Sequence, residues 1–370
     1  MATKFFEEEI VAAGWKSEIQ EFDAIDWEDG GAVLQSENSS FDVFVSPYSL
    51  GCTVEAPLIS ASSAAELGSL DMTGKILLLH GEIAHEQLMP KNFVFFNPES
   101  HQHIISLLEQ GSPDAIVCAT GRNAALAGGV YPFPLIEDGD FNLPSVYMTE
   151  EQGKELLAHV GKTVALNSSS KRIPGKGCNV IGSKGKSDER MVITAHIDAK
   201  KGTPGAIDNA TGVITLLLLA RLLEDYKGER TIEIVALNGE DYYAVPGQMR
   251  YIAENQGRFD EMILNINIDG AGYQEGKSAF SFYGLSDDLE SKARDVFGKF
   301  DGLTEGSQWP QGDHSIFIQY GCPAIAVSSK WFTDNIATQQ ITHTPKDNIG
   351  IVDCQKVVEI AEALNLFLRK

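Results

Sequence analysis

The chain has 370 residues, 43% of them apolar and 22% charged, which excludes general intrinsic disorder and suggests two or three domains. At this length folding buries roughly three quarters of the unfolded chain's surface, so the core needs no covalent staples. Acidic residues number 52 against 29 Lys and Arg, a net charge of −23. Such a field repels nucleic-acid phosphates and anionic membranes, so neither is expected as a partner. The carboxylates either keep the protein soluble or crowd into a cation site.

Cys52, Cys118, Cys178, Cys322 and Cys354 are scattered and form no CxxC pair, which argues against a disulfide framework and a thiolate metal cluster. The N-terminus has no apolar stretch of signal-peptide type, and the longest mainly apolar run, Val213–Ala220, is too short for a bilayer. A cytoplasmic protein is the expectation, unless the chain is a processed form.

Taken in chain order, Lys4–Glu21 reads as a helix with apolar Phe5, Ile10, Val11 and Trp15, and Gly30–Gly31 as a turn. From residue 41 to 167 come short β-branched runs: Phe41–Val45, Lys75–Leu79, Ala115–Ala119, Ser145–Met148 and Thr163–Leu166. Helical stretches at His101–Gln110 and Glu150–His159 interrupt them, which predicts a small β-rich domain. Ser168–Gly177 reads as a linker. After it, strands are expected at Met191–Ala195, Thr231–Leu237, Met262–Ile268, Ala279–Tyr283 and Ala324–Val327. Helices are expected at Val213–Tyr226, Asp287–Phe300, Asp313–Tyr320 and Asp353–Leu368. This alternation predicts an α/β fold, a mixed and mostly parallel sheet between layers of helices.

In such a sheet, ligands bind beyond the carboxyl ends of the strands. His196 and Asp198 follow the first of these strands, Glu240 and Asp241 the second, and Asp269 ends the third. His343 lies beyond the last strand, and Asp208 precedes the long helix. Each piece alone has a plain reading. Asp208–Asn209 suits a helix cap, Glu240–Asp241 a solvated turn, and Asp269–Gly270 a strand-end turn. Together they put two histidines and several carboxylates at one sheet edge. Nitrogen and oxygen donors without sulfur suit zinc, and also cobalt or manganese; two ions need roughly five or six ligands, one of them bridging.

The run Ala195-His196-Ile197-Asp198, then Gly205-Ala206-Ile207-Asp208-Asn209-Ala210-Thr211-Gly212, Gly239-Glu240-Asp241, Asn267-Ile268-Asp269 and His343-Thr344-Pro345 resembles the dizinc exopeptidases. That family includes leucine-type bacterial aminopeptidases, glutamate carboxypeptidases and a non-catalytic receptor relative. The similarity spans about residues 175–370. It implies the zinc exopeptidase (phosphorylase/hydrolase-like) fold. It also implies two Zn(2+) ions, one held by His196 and Asp269, the other by Asp241 and His343, with Asp208 bridging. By the same resemblance Asp198 accepts a hydrogen bond from His196 and fixes its tautomer, and Glu240 is the general base. Two departures stand out: the family usually has Glu-Glu at Glu240-Asp241, and its glycine-rich continuation is here Tyr242-Tyr243-Ala244-Val245-Pro246-Gly247.

Asp71-Met72-Thr73-Gly74-Lys75 resembles the opening of a protease-associated domain, the family's frequent insertion. The implied division is 1–40 with 168–370 as catalytic domain and 41–167 as insert. Capping the cleft, excluding large proteins and holding a homodimer together are the roles open to it. The activity implied is removal of N-terminal residues from peptide substrates. The alternatives are carboxypeptidase or dipeptidase action, for which Lys200, Lys201 and Lys330 are available, and a non-catalytic receptor. Asp313-His314 reads as a helix start or as a segment near the site. Trp309, Trp331 and Phe332 read as core or as pocket wall, His101 and His103 as surface residues, and Gly128–Gly129 as a plain loop.

Overall fold

The computed structural model describes residues 1–121, 132–310, 312–336 and 338–370. Gly128–Gly129 lies outside the described residues. The chain divides into two compact units, Met1–Phe22 with Lys176–Lys370, and Asp23–Gly175.

The larger unit is built on a sheet whose middle four strands run parallel: Thr231–Leu237, Arg190–His196, Met262–Ile268 and Ala324–Ser329, in that spatial order. Ser278–Tyr283 is antiparallel to the last of these, and Val180–Lys184 is antiparallel to Thr231–Leu237, so the sheet is mixed. Nearly every residue of the four parallel strands is buried. They read as continuous β-branched and aliphatic runs because helices pack on the sheet and exclude water. One parity of side chains, including Ile193, Ile234, Ile266 and Val327, joins Leu216 and Leu219 of helix Thr211–Leu222 and Ile360, Leu364 and Phe367 of helix Cys354–Leu368 in one core.

The N-terminal helix is Ala2–Ala12 and buries Phe6 and Ile10, one turn apart. The predicted continuation to Glu21 is wrong. Lys16–Ser36 is a strand that includes Gly30–Gly31, and it buries Gln20 where a helix would have buried Ile19. Trp15 Nε1 donates to Ala220 O at 3.0 Å and ties the segment to helix Thr211–Leu222. The predicted linker Ser168–Gly177 is likewise part of the strand Thr163–Lys184.

The smaller unit carries parallel strands Cys52–Ala61, Ile76–Leu79, Ala115–Thr120 and Ser145–Thr149. Helices Ala64–Ser69 and Glu99–Gly111 alternate with them, so the unit is less purely β than its short runs suggest. His101 is buried: Met89 N–H donates to its Nδ1 at 3.1 Å, and Glu86 stands 3.2 Å from its Nε2. The expectation of a surface residue fails there. Among the described residues no helix is long and apolar enough to cross a membrane.

Candidate metal centre

The four parallel strands end together, so the residues just past them share one edge. His196 is the last residue of its strand, Glu240 and Asp241 follow Leu237 by a short turn, and Asp269 follows Ile268 directly. Asp208 arrives on the loop before helix Thr211–Leu222. Asn209 fixes that loop, its Nδ2 donating to Ile268 O at 2.8 Å and its Oδ1 accepting from Gly212 N–H at 3.1 Å. The helix-cap reading thus belongs to Asn209 and leaves the Asp208 carboxylate free to face the edge. Gly212 is required here, because a Cβ would lie 2.7 Å from Ile268 O.

Three sets of potential ligand atoms converge, His196 with Asp208 and Asp269, Asp208 with Asp241 and His343, and His196 with Asp198 and Asp241, each within 4.8 Å of one another. His196 Nε2 lies 3.1 Å from Asp208 Oδ1 and 3.5 Å from Asp269 Oδ1. His343 Nε2 lies 3.2 Å from Asp208 Oδ2 and 2.8 Å from Asp241 Oδ1. Asp208 therefore turns one oxygen to each imidazole, the disposition of a bridging carboxylate.

Burial disfavours charge on both imidazoles, but the carboxylates around them hold His196 and His343 well above the usual histidine range. The imidazoles in turn keep Asp208 far below the usual carboxylate range despite its burial. Burial and then Asp208 raise Asp241. A field that retains protons on two histidines also attracts cations, and a bound metal displaces those protons. His196 Nε2 and Asp241 Oδ2 are buried with no hydrogen-bond partner, and the donors are nitrogen and carboxylate oxygen. The residues present fit a pair of divalent ions.

Desolvation holds Glu240 well above the ordinary range; His196 opposes this, and Asp241, Asp269 and Asp313 add to it. Burial pushes Asp313 up to about 7, against His196 and the 2.9 Å hydrogen bond that Gln248 Nε2 donates to it. Asp313 precedes helix His314–Gln319 without capping it through its side chain, and its carboxyl is close enough to Asp269 to be raised by it. The half-exposed Trp309 packs against Gly312, whose φ of +102° suits only glycine; a Cβ there would meet both the indole and Asp269 Oδ2. Phe332 belongs instead to a small core with Ile207 and Tyr273, on which Trp331 packs.

Two contributors escaped the sequence reading. Asp347 is fully buried and accepts from Ile207 N–H at 2.7 Å and Asp208 N–H at 3.1 Å, so it ties the His343 loop to the loop of Asp208. Gln248 reaches Asp313 from helix Pro246–Glu254, which was not expected either. Asp347 stands four residues after His343, the one signal that could have raised it.

Two histidines and three carboxylates at the carboxyl edge of a mostly parallel sheet define a protein of the α/β class with a candidate two-cation centre. The model of Peptidase family M28 matches residues 179–368, just over half of the chain, and the chain belongs to that family. It is 23% identical over 243 residues to aminopeptidase YwaD of Bacillus subtilis, covering 62% of this chain and 51% of that protein. Leucine aminopeptidase 2 of Arthroderma otae is 25% identical over 260 residues, covering 61% and 51%. The chain thus spans about half the length of these curated relatives. Among solved structures, the aminopeptidase from Aneurinibacillus sp. strain AM-1 superposes with a TM-score of 0.77 at 18% identity, over 99% of this chain and 86% of that one. The zinc aminopeptidase BSAP from Bacillus subtilis gives 0.72 at 18% identity, over 99% and 87%. These likenesses establish the fold.

Proposed function

We propose that the chain is a zinc-dependent aminopeptidase that removes N-terminal residues from peptides, using a pair of ions held by His196, Asp208, Asp241, Asp269 and His343. The observation that carries this is Asp208 turned between two imidazoles, each with a further carboxylate beside it. The aminopeptidases similar to this chain, one of them a zinc enzyme, support the choice of reaction and metal.

Held by these five side chains, two divalent ions would polarise a carbonyl oxygen and lower the pKa of water toward ~7. Glu240 takes the proton from the attacking water and returns it to the departing amine, which suits a carboxyl raised above its ordinary range. The surrounding carboxylates favour the ammonium group of a peptide N-terminus.

Lys200 is the feature that favours carboxypeptidase action, since its Nζ donates to Asp241 O at 3.2 Å and puts a cation on that loop. Hydrolysis of aminoacyl-nitroanilides by the zinc-loaded protein, abolished by chelator, is the expected result. Cleavage of N-blocked peptides from the carboxyl end instead would select the other reaction, and zinc-replete protein inert toward both would mark a non-catalytic relative.

A further inference from the structure

Asp198 is implied by resemblance to orient His196; its carboxylate stands beside the imidazole but makes its hydrogen bonds to a neighbouring turn. His196 Nδ1 lies 3.2 Å from the main-chain oxygen of Asp198 but 3.8 Å from its carboxylate, beyond hydrogen-bond reach. The backbone carbonyl is therefore the group placed to fix the imidazole tautomer. The carboxylate instead accepts three successive backbone N–H groups. Gly239 and Glu240 donate to Oδ1 at 2.6 and 3.2 Å, and Asp241 donates to Oδ2 at 3.0 Å.

Three consecutive N–H groups can converge on one anion only where the backbone curls into a concave nest. Gly239 permits this with a φ of +126°, a conformation side chains resist, and a Cβ there would lie 2.8 Å from Pro246 Cδ. The turn comes within reach because Ile197 N–H donates to Leu237 O at 2.7 Å, which joins the ends of the two neighbouring strands. The Asp198 side chain is only 16% exposed, so little water competes for these bonds.

We infer that Asp198 is a positioning residue for the Gly239–Asp241 turn, holding the base Glu240 and the ligand Asp241 in place through its carboxylate. The inference rests on the metal reading above and separates from the orienting role in one respect. His196 meets Asp208 Oδ1 and Asp269, whereas Asp241 meets His343, which stands at Asp208 Oδ2. An orienter of His196 serves one ion, whereas a template for the turn serves the other.

The test is zinc affinity, measured by competition with a chromophoric chelator, for the wild type, His196→Ala, Asp198→Ala and the double variant, with circular dichroism to check folding. In the His196→Ala background the site of Asp208, Asp241 and His343 keeps its ligands. There, adding Asp198→Ala is expected to weaken zinc a further ~10–100-fold, the usual cost of removing a group that orients ligands. A double variant within twofold of His196→Ala would overturn the inference, because Asp198 would then act only through the missing imidazole. Asp198→Asn, of unchanged size, is the second variant should the double fail to fold or His196→Ala bind zinc too weakly to measure. In the native background it should weaken the zinc-binding step that His343→Ala removes and leave the other unchanged; the reverse, or no change in either step, would overturn the inference. A wild type that binds no zinc would overturn the metal reading itself, and this inference with it.

Discussion

Replacing Asp347 by Ala removes a fully buried carboxylate that accepts two backbone N–H bonds, from Ile207 at 2.7 Å and Asp208 at 3.1 Å. Hydrogen bonds to a charged group contribute about 1.5–3 kcal/mol each. Burial raises the Asp347 carboxyl, so part of that gain is spent on desolvation and the lower end applies. The expected loss is about 3 kcal/mol, which for a unit of this size lowers the melting temperature by roughly 6–12 °C. Zinc affinity should fall about 10–100-fold as well, because the freed loop carries Asp208. Asp347→Asn retains one acceptor and should lose about half as much stability. Thermal melts of the metal-free full chain, with chelator competition for zinc, read both effects. Asp347→Ala melting within ~1 °C of the wild type with unchanged zinc affinity would refute the reasoning.

Glu240→Gln keeps the shape of the side chain and removes its basicity; it should retain zinc while activity drops at least ~10²–10⁴-fold. Substantial turnover by a metal-replete Glu240→Gln protein would exclude Glu240 as the base. His343→Ala removes one of two nitrogen donors, and elemental analysis should find zinc lost; full occupancy would count against His343 as a ligand. A strong chelator should abolish aminopeptidase activity, with zinc, cobalt or manganese restoring it, and activity untouched by chelator would argue against a metal enzyme.

The parallel core was legible because buried strands are continuous apolar runs. Thr231–Leu237 and Met262–Ile268 appear with their predicted ends. The candidate ligands were legible for a related reason: topology sends whatever follows such strands to one edge. Residues 16–21 were drawn into the helix by the spacing of Phe5, Ile10, Val11 and Trp15, while the strand they form buries the polar Gln20. Asn179 Nδ2, 3.5 Å from Gln20 Oε1, is a long-range partner that no local pattern announces. Ser168–Gly177 looked like a linker because a strand needs paired backbone more than apolar side chains. Asp347 and the carboxylate of Asp198 are anchored by backbone N–H groups far along the chain, and composition cannot distinguish such a carboxylate from a solvated one.

Anomalous diffraction at the zinc edge from crystals of the zinc-loaded protein tests the central claim most directly. The expected result is two peaks, one beside His196 and Asp269 and one beside Asp241 and His343, each about 2.0–2.2 Å from its nitrogen and oxygen ligands and from a different oxygen of Asp208. Zinc bound away from these five side chains, or no zinc while they stay clustered, would contradict the account.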